Sequence, residues 1–401
     1  MAEIAETAQV RRASKDAGRT PARTAKTSLL PLADVAPAQW RALAEGAIEP
    51  NGYYLPDWEL AVNATAHGRT DVAALDARND ATKLIGLVPV ISMWRAYGIP
   101  LPALVSAEPY GTLCTPLLDR EAPEEAVATL LQNARQAGAR ALILRSVALD
   151  GPAIMAFTNV LRRDGRRPRV LQSGKRASLD ATRDAEEILR ESLGSKKLKE
   201  LRRQRNRLAE HGAVRFDVAR TPESVAAATE TFLALEASGW KAKHGTALGQ
   251  NDGDAAFIRR AAPALAQSGQ CEIVTLRAGE TPVAAAIVLR HQDRAFYFKI
   301  GVDESFAKCS PGVQLTLDLT RHHCADPAIA MTDSTATPDH PMINPIWRGR
   351  LAIGDVLIPL RPRDPVVSLI EGVLSLRHRV REAAQHAIHS IRNRNSPRNA
   401  K

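Results

Sequence analysis

Three segments of the sequence combine residue types that can bind an anion or move a proton. The first, residues 193–216, carries eight Lys or Arg against two Glu, which gives a local charge of +6. Its apolar residues recur three to four positions apart, so the segment is predicted to form a helix with one narrow apolar seam. Gly212 then ends the helix before a short strand. Such a basic helix either holds an anionic ligand or is a solvated surface.

The second segment is a strand at 295–301. Strict alternation predicts that Tyr297 and Lys299 share one face of this strand, close to Asp303. That face either lines a cleft or carries an ion pair in contact with solvent. The opposite, apolar face is expected to join the core, and its members are Phe296, Phe298 and Ile300.

A helix start follows this strand at Ser310, Pro311 and Gly312. Ser310 is expected to cap the helix and Pro311 to occupy its first position, while Gly312 lets a ligand approach the backbone. A strand, a loop and a helix N-terminus in this order can bind phosphate through free N–H groups. An ordinary capped helix without a ligand is the alternative.

The third segment, residues 331–350, is polar and rich in proline. Asp333 follows a strand, at the end where α/β proteins usually bind their ligands. A histidine side chain ordinarily titrates near neutral pH, so His340 is a candidate for proton transfer. Trp347 and Arg350 complete the segment. A structural loop fixed by Asp and Arg side chains is the alternative.

A further candidate is the pair Trp240 and Lys241, which follows Glu236 at the end of a predicted helix. A tryptophan before a loop that contains glycine can stack on a substrate. It can equally fill a position in the core.

Composition narrows the function. Of the net charge of +10, the segment 1–28 contributes +3 and the segment 366–401 contributes +5. The rest of the chain is almost neutral, which argues against nucleic acid as a partner because a nucleic-acid-binding domain presents a basic folded face. The four cysteines are far apart and form no CxxC pair, and no three metal ligands have suitable spacing. We therefore expect neither a metal site nor a redox pair. We also expect that the protein is located in a reducing compartment.

No segment reaches the roughly 18–20 apolar residues of a membrane span, and residues 1–28 lack the apolar core of a signal peptide. We therefore expect a cytoplasmic protein. The last residues, 363–401, are predicted to form an amphipathic basic helix. This tail either packs on the body or contacts an anionic membrane or a partner protein.

The order of elements repeats along the chain. A hairpin at 72–92 recurs at 273–291, and a helix and a strand follow each hairpin; the offsets are 201, 188 and 188 residues. The repeat indicates a duplicated α/β domain, and two unrelated α/β regions are the alternative. The predicted parts are a disordered basic tail at 1–28, a first domain at 29–178, a second domain at 179–362 and the tail at 363–401.

Taken together, these motifs resemble GNAT-superfamily acyltransferases of the cellulose-biosynthesis CelD/BcsL type, which are distantly similar to the Fem-type aminoacyl transferases. The resemblance is strong over about 180–355 and weaker over 30–175. Besides the basic helix, the residues that carry it are Trp240, Lys241, Gly245, Thr246, Tyr297, Lys299, Ile300, Gly301, Ser310, Pro311, Gly312, Asp333, Ser334, Pro338 to Ile343, Trp347 and Arg350.

The resemblance implies an α/β fold of tandem GNAT domains, each with a mixed, largely antiparallel sheet flanked by helices. It implies transfer of an acyl group from acetyl-CoA or another acyl-CoA to an amine or hydroxyl of a sugar, polysaccharide or envelope precursor, without a metal. The donor would lie between the strands at 295–301 and 328–333. The residues that would hold it are Tyr297, Lys299, Gly301, Ser310 and Gly312.

The same resemblance suggests roles in catalysis. Backbone N–H groups near Gly301 would stabilise the oxyanion, and Asp333 or His340 would act as the base, with Asp303 behind them. Basic side chains of the first segment would face the donor phosphates or an anionic acceptor. The residues expected to contact substrate or anion are Lys196, Arg202, Arg203, Trp240, Lys241, Trp347 and Arg350.

Two other functions are compatible with the sequence. A Fem-type transferase would take its acyl group from aminoacyl-tRNA, which suits the basic helix and tails; however, no long helical hairpin interrupts the second domain. A non-catalytic partner of a polysaccharide synthase would use the basic tail at 363–401 to dock on a membrane complex.

Overall fold

The computed structural model describes residues 29–238 and 247–395. The predicted tail at 1–28 lies outside the described residues. The strands are β1 Leu30–Pro31, β2 Ala73–Arg78, β3 Leu84–Ser92, β4 Ala103–Ser106, β5 Leu117–Leu118, β6 Ala141–Ala148, β7 Arg169–Asp180, β8 Val214–Ala219, β9 Cys271–Ala278, β10 Thr281–His291, β11 Arg294–Val302, β12 Met331–Asp333 and β13 Gly349–Pro359. The α-helices are α1 Pro37–Glu45, α2 Pro56–Thr65, α3 Met93–Tyr97, α4 Pro123–Gln136, α5 Pro152–Arg163, α6 Ala185–Ala209, α7 Pro222–Ser238, α8 Asp252–Gln267, α9 Pro311–Cys324 and α10 Pro365–Asn395.

All of these strands belong to one sheet, in the order β1-β2-β3-β4-β6-β13-β7-β12-β11-β10-β9-β8, with β5 paired to β3. In the first half, the antiparallel strands β2, β3 and β4 lead to a parallel β4–β6 pair. In the second half, β9, β10 and β11 lead in the same way to a parallel β11–β12 pair. The expected mixed, largely antiparallel sheet is therefore confirmed, and the two halves repeat one strand order, as a duplication would.

The last strand of each half is exchanged. β7 follows the first half in sequence but pairs with β12 and β13 of the second. β13 ends the second half but pairs with β6 of the first. The two halves thus form one sheet rather than the two separate sheets that the sequence suggested. The boundary proposed at 178/179 falls within β7 and remains a prediction.

Helices cover the sheet, and one apolar core is shared by the two halves. α2 of the first half packs on α8 of the second, where Trp58 stacks edge-on against Phe257 at 4.9 Å between ring centroids. Both aromatic side chains are fully buried. This shared core fixes the position of one half relative to the other.

The basic segment forms the second part of α6. Gly194 interrupts the helix with φ 70°, a left-handed conformation that favours glycine. Leu201 and Leu208 are buried, so the predicted apolar seam is confirmed. At the other end of the chain, the tail is helical over Pro365–Asn395. Within the described residues, none of the helices combines the length and the apolar composition that crossing a bilayer requires.

Candidate active site

The parallel strands of the second half separate. β12 pairs with β11 at only three positions, the last of which joins Phe296 to Asp333. β11 then continues to Val302, whereas the chain after β12 leaves the sheet. Thr335 turns the chain there with φ 47°, and its hydroxyl donates to the carbonyl of Tyr297 at 2.6 Å. The ladder between these two parallel strands therefore ends at Phe296 and Asp333, and we call the place beyond it, where their chains diverge, the wedge.

The first half has the equivalent strand pair, but an arginine occupies the point where it would open. β4 and β6 pair up to Val105 and Ile143. Directly beyond, the guanidinium of Arg145 donates twice to the carbonyl of Ser106, at 3.0 and 2.7 Å. Of the two related openings, the one in the second half is therefore the better candidate for a ligand.

β11 contains a β-bulge at Phe298. On β10, Val288 pairs with Tyr297 and Ile287 pairs with Lys299, so Phe298 has no partner in this register. A bulge shifts the side chains that follow it to the other face. Lys299 consequently lies on the face of Phe298, with its Nζ 6.0 Å from that ring centroid. The expectation that Tyr297 and Lys299 share a face is wrong, because strict alternation ends at the bulge.

The bulge directs Lys299 to Glu236 at the end of α7, with 3.4 Å between Nζ and Oε1. Gly301 makes this possible because a Cβ at that position would lie 2.9 Å from the Glu236 backbone nitrogen. α7 can therefore rest directly on β11. The Glu236 side chain is fully buried, and its second oxygen accepts the N–H of Leu248 at 2.9 Å.

The first half of the chain adds Tyr110 to this cluster. The Lys299 Nζ lies 5.5 Å from the centroid of the Tyr110 ring. The Tyr110 hydroxyl donates to Asp254 at the start of α8, at 2.6 Å. Burial and this carboxylate both raise the pKa of Tyr110, so its hydroxyl stays protonated and acts as a hydrogen-bond donor. We call Lys299, Glu236, Tyr110 and Asp254 the inter-half cluster.

Asp333 forms a buried ion pair with Arg176 of β7. The side chains of Asp333 and Arg176 are 1% and 3% exposed. The second carboxylate oxygen of Asp333, Oδ1, accepts the N–H of Thr335 at 2.9 Å. Both carboxylate oxygens are thus engaged, an arrangement that favours positioning of the wedge over proton transfer. The base role proposed for Asp333 remains a prediction.

The start of α9 differs in part from the expectation. Pro311 is at the first helical position as predicted, but Ser310 adopts φ 51° and its side chain makes no capping hydrogen bond. A Cβ at Gly312 would lie 3.3 Å from Ile300, Val302 and Met342. Gly312 therefore serves close packing of α9 on β11. The Asp303 side chain caps the preceding 3₁₀ helix by accepting the N–H of Ser305 at 2.9 Å.

Two aromatic candidates are core residues. Trp347 is fully buried and donates to the Thr320 hydroxyl at 2.9 Å. Tyr297 packs against it, with 5.9 Å between the ring centroids, and burial raises the pKa of its phenol. Their burial favours a structural role, and contact of either ring with a substrate stays a prediction.

His340 and Arg350 line one open cleft of about 570 Å³. His340 Nδ1 accepts the N–H groups of Met342 and Ile343, both at 3.4 Å. The Arg350 guanidinium donates to the carbonyl of Trp347 at 2.8 Å. The structure thus brings His340 and Arg350 together at one cleft. Asp333 instead pairs with Arg176, and Asp303 caps the 3₁₀ helix Glu304–Cys309.

The basic candidates Lys196, Arg202 and Arg203 are exposed on α6. Within the part of the chain that is described, each makes no ion pair, whereas Lys197 pairs with Glu200 at 3.1 Å. They lie away from the apolar seam and are available to an anion that approaches from solvent. Trp240 and Lys241 lie outside the described residues.

A second cavity, of about 390 Å³, lies where the exchanged strands meet. Its polar lining includes Thr112, Arg176, Asp355 and His378. Thr112 also donates to the carbonyl of Thr335 at 2.8 Å, so this central cleft adjoins the wedge. Burial raises the pKa of Asp355, which accepts hydrogen bonds from the Ser146 N–H and the Gln172 amide.

One cluster was missed because its members are far apart in sequence. The ligand atoms of Glu272, His322 and His323 lie within 4.8 Å of one another. Two arginines already balance the carboxylate: Arg220 lies 3.0 Å and Arg290 3.6 Å from a Glu272 oxygen. The arrangement is therefore an ion-pair network.

This network should make stability depend on pH. Burial alone would raise the pKa of Glu272, but hydrogen bonds from His322 and His323 outweigh burial and hold the pKa below its usual 4.5. We expect Glu272→Gln to lower the free energy of unfolding by about 2 kcal/mol at neutral pH. The difference should shrink below pH 4.5, because the unfolded chain takes up the proton first. Urea denaturation at several pH values checks this, and a pH-independent difference would contradict it.

The sequence patterns also did not predict Arg176, Tyr110 and Asp254 as site residues. Each lies on an element whose neighbours are distant in sequence, and no spacing pattern connects them to β11. Glu236 was noticed only as a residue near the end of a helix. A charged residue before the apolar end of β7 was the one available signal for Arg176.

Comparison with solved structures supports the fold. FemX covers 84% of this chain and 98% of its own, with a TM-score of 0.54 and 12% identity. A conserved protein of unknown function from Bacteroides thetaiotaomicron has a TM-score of 0.52 and 10% identity, and the match covers 81% of this chain and 98% of that protein. The C-terminal domain of a putative lysylphosphatidylglycerol synthetase from Agrobacterium fabrum has a TM-score of 0.51 and 14% identity, and the match covers 84% of this chain and 95% of that domain. These identities establish similarity of fold alone.

Comparison with curated proteins finds no significant match. Residues 195–337 match the family described as acetyltransferase (GNAT) domain. The match contains the basic part of α6, all of β11 with its bulge, the start of α9 and the end of β12. β11, β12 and the side chains of Glu236, Lys299 and Asp333 therefore lie in the segment that matches a GNAT acetyltransferase domain, and this chain is an acyltransferase.

Proposed function

We propose that the protein transfers an acyl group, preferably acetyl, from acyl-CoA to an amine or hydroxyl of a sugar-containing polysaccharide or envelope precursor. The observation that carries this proposal is the wedge beside the bulge of β11, which opens next to the polar central cleft. A role in cellulose biosynthesis rests on the sequence resemblance to the CelD/BcsL type. The reaction would take place in the cytoplasm, where acyl-CoA is available.

The donor would enter the wedge with its thioester near Lys299. Beyond Phe296, β12 no longer pairs with β11, so an extended acyl-CoA arm can take the place of a strand. Lys196, Arg202 and Arg203, the exposed candidate cations of α6, are suited to its phosphates. The side chains around Gly312 are tightly packed and leave no open space for a ligand there. α9 would therefore contribute to donor binding through the backbone N–H of Gly312.

The acceptor would bind in the central cleft. Hydroxyl groups of a sugar need both donors and acceptors, and the cleft offers the Thr112 hydroxyl, the Arg176 guanidinium and the Asp355 carboxylate. Its volume of about 390 Å³ is within the usual range for small-molecule sites. Thr112 and Arg176 connect the cleft to Thr335 and Asp333 in the wedge.

The reaction would be direct acyl transfer. The acceptor nitrogen or oxygen forms a bond to the thioester carbon, the C–S bond breaks, and CoA leaves as the thiol or thiolate. The Lys299 ammonium would stabilise the negative charge on the carbonyl oxygen, together with backbone N–H groups near Gly301. A base receives the acceptor's proton; Asp333 and His340, with Asp303 behind them, remain candidates, and the buried Glu236 beside Lys299 is a further one.

Thermal unfolding in the presence of acetyl-CoA, longer acyl-CoAs and free CoA tests the donor. A ligand present at 100 times its Kd should stabilise the protein by about 2.7 kcal/mol. Arg202→Ala/Arg203→Ala should weaken this stabilisation, whereas Lys197→Ala, at an already paired lysine, should not. Stabilisation by aminoacyl-tRNA alone would indicate a Fem-type transferase. No response to either donor would indicate a non-catalytic accessory protein.

A further inference from the structure

Most of the exposed large apolar side chains of the described residues are concentrated on two neighbouring helices. Trp94 of α3 is 64% exposed, and Leu369, Leu376 and Val380 of α10 are 54%, 63% and 61% exposed. Elsewhere in the part of the chain described, comparable exposure is found at Leu30, Met155 and Val170. Soluble monomers rarely expose contiguous apolar patches, so this concentration points to a binding surface.

α10 has two separate apolar faces. One consists of Val367, Ile370 and Leu374, which are buried in a cluster that also contains Met93 of α3. That face explains why the helix packs on the body. A helix that only needed to pack would have a polar outer face, yet α10 has a second apolar row.

The second row is regular. Leu369, Val373, Leu376 and Val380 follow one another at intervals of four, three and four residues, which places them in one narrow line along the helix. We call this line the outer stripe. Val373 is half-buried and the other three are exposed. The outer stripe therefore has contacts to gain that the described chain does not provide.

α3 lies beside α10. The Arg377 guanidinium lies 5.4 Å from the centroid of the Tyr97 ring and donates to the Tyr97 carbonyl at 3.5 Å. Trp94 is three residues before Tyr97 on the same short helix. Trp and Arg are the residue types that favour the boundary between water and lipid headgroups, because each has an apolar body and a polar end.

Charge selects among possible occupants of this surface. Arg377 and Arg379 flank the outer stripe, and the segment 366–401 carries a net charge of +5. Two copies of the chain meeting at this surface would bring like charges together. An anionic surface would gain from the same charges, by about 1 kcal/mol for each cation near it.

From these observations we propose that α3 and α10 form a peripheral membrane-binding surface for bilayers that contain anionic lipid. The outer stripe and Trp94 enter the headgroup region, with α10 lying parallel to the membrane plane. Arg377 and Arg379 remain at the level of the lipid phosphates. This proposal is independent of the donor and acceptor proposed above: His378 of α10 lines the central cleft, but Trp94, the outer stripe, Arg377 and Arg379 do not.

Flotation of the full chain with lipid vesicles tests the proposal. The protein should float with vesicles of phosphatidylcholine and phosphatidylglycerol, and less with phosphatidylcholine alone. Raising the salt from ~0.1 M to ~1 M should weaken binding, because the Debye length falls. Leu369→Ser/Leu376→Ser/Val380→Ser should lower partitioning by about tenfold or more. Met155→Ser/Val170→Ser, at exposed apolar residues elsewhere, should bind like the unaltered protein.

Tryptophan emission gives a second readout that does not require the triple variant to fold. Among the described tryptophans, Trp40, Trp58 and Trp347 are fully buried and Trp94 is exposed. In a Trp240→Phe background, anionic vesicles should therefore shift the emission of Trp94 to shorter wavelength. Trp94→Phe should abolish most of that shift. Equal flotation of the stripe variant and the unaltered protein would overturn the proposal, as would absence of binding to anionic vesicles. Concentration-dependent dimerisation that the stripe variant abolishes would also overturn it, because a second copy would then be the occupant.

Discussion

Asp333→Ala is expected to lower the free energy of unfolding by about 3–5 kcal/mol, because it leaves the Arg176 guanidinium buried without its counter-charge. The substitution also removes the acceptor of the Thr335 N–H, which shapes the turn at the wedge. Urea denaturation measures the loss. Asp57→Ala is the matched control, since Asp57 pairs with the half-exposed Arg41 at 2.8 Å and should cost about 1 kcal/mol or less.

A double variant separates the two roles of Asp333. Arg176→Met/Asp333→Leu removes both charges and should regain much of the stability, because apolar replacement of a buried ion pair is often neutral. If Asp333→Ala left the stability unchanged but abolished turnover, Asp333 would be the base rather than the partner that holds Arg176 in place.

Loss of the Lys299 ammonium is expected to reduce catalysis. The reference is Glu236→Gln alone, because Glu236 is itself a candidate base and its charge would be left buried and unpaired by loss of Lys299. Relative to that variant, Glu236→Gln/Lys299→Met should lower kcat/KM by about 100-fold. The expected size is that of removing one group that stabilises an oxyanion. The Kd for acyl-CoA should change little, because the charge on the carbonyl oxygen develops only in the transition state.

The matched control for this pair is Lys197→Met/Glu200→Gln. These residues form an exposed Lys–Glu pair at 3.1 Å on α6, and their loss should leave kcat/KM unchanged. Steady-state kinetics with equilibrium binding of acyl-CoA distinguish the outcomes. A rise in Kd that accounts for the whole loss of kcat/KM would contradict the proposed role, since Lys299 would then bind the donor without stabilising the transition state.

Local patterns in the sequence predicted local structure well. The hairpins formed by β2 with β3 and by β9 with β10 lie within two residues of their expected positions, because alternation and turn residues are encoded nearby. The helix at Pro311 and the apolar seam of α6 were likewise found from short-range signals. The resemblance to GNAT proteins then placed these elements in the correct fold.

Long-range features could not be obtained in this way. β7 carries a largely polar sequence, and its partners β12 and β13 lie far along the chain, so periodicity gave no sign of the exchange. The bulge at Phe298 reversed the predicted face of Lys299 because one unpaired residue changes the side-chain phase. The role of Asp333 depends on Arg176, which no motif connects to it. Candidate residues were therefore predicted by type more reliably than by environment.

The exchange of β7 and β13 has a consequence for how the molecule reaches its folded state. Strand β6 acquires its second neighbour only when β13, near the end of the body, has been synthesised. Until β12 and β13 have been synthesised, β7 has neither of its strand partners. Its polar side chains disfavour pairing with other chains during that time. Such non-local pairings make folding slow. We therefore expect the two halves to fold in one cooperative step, although each repeats the strand order of a separate domain.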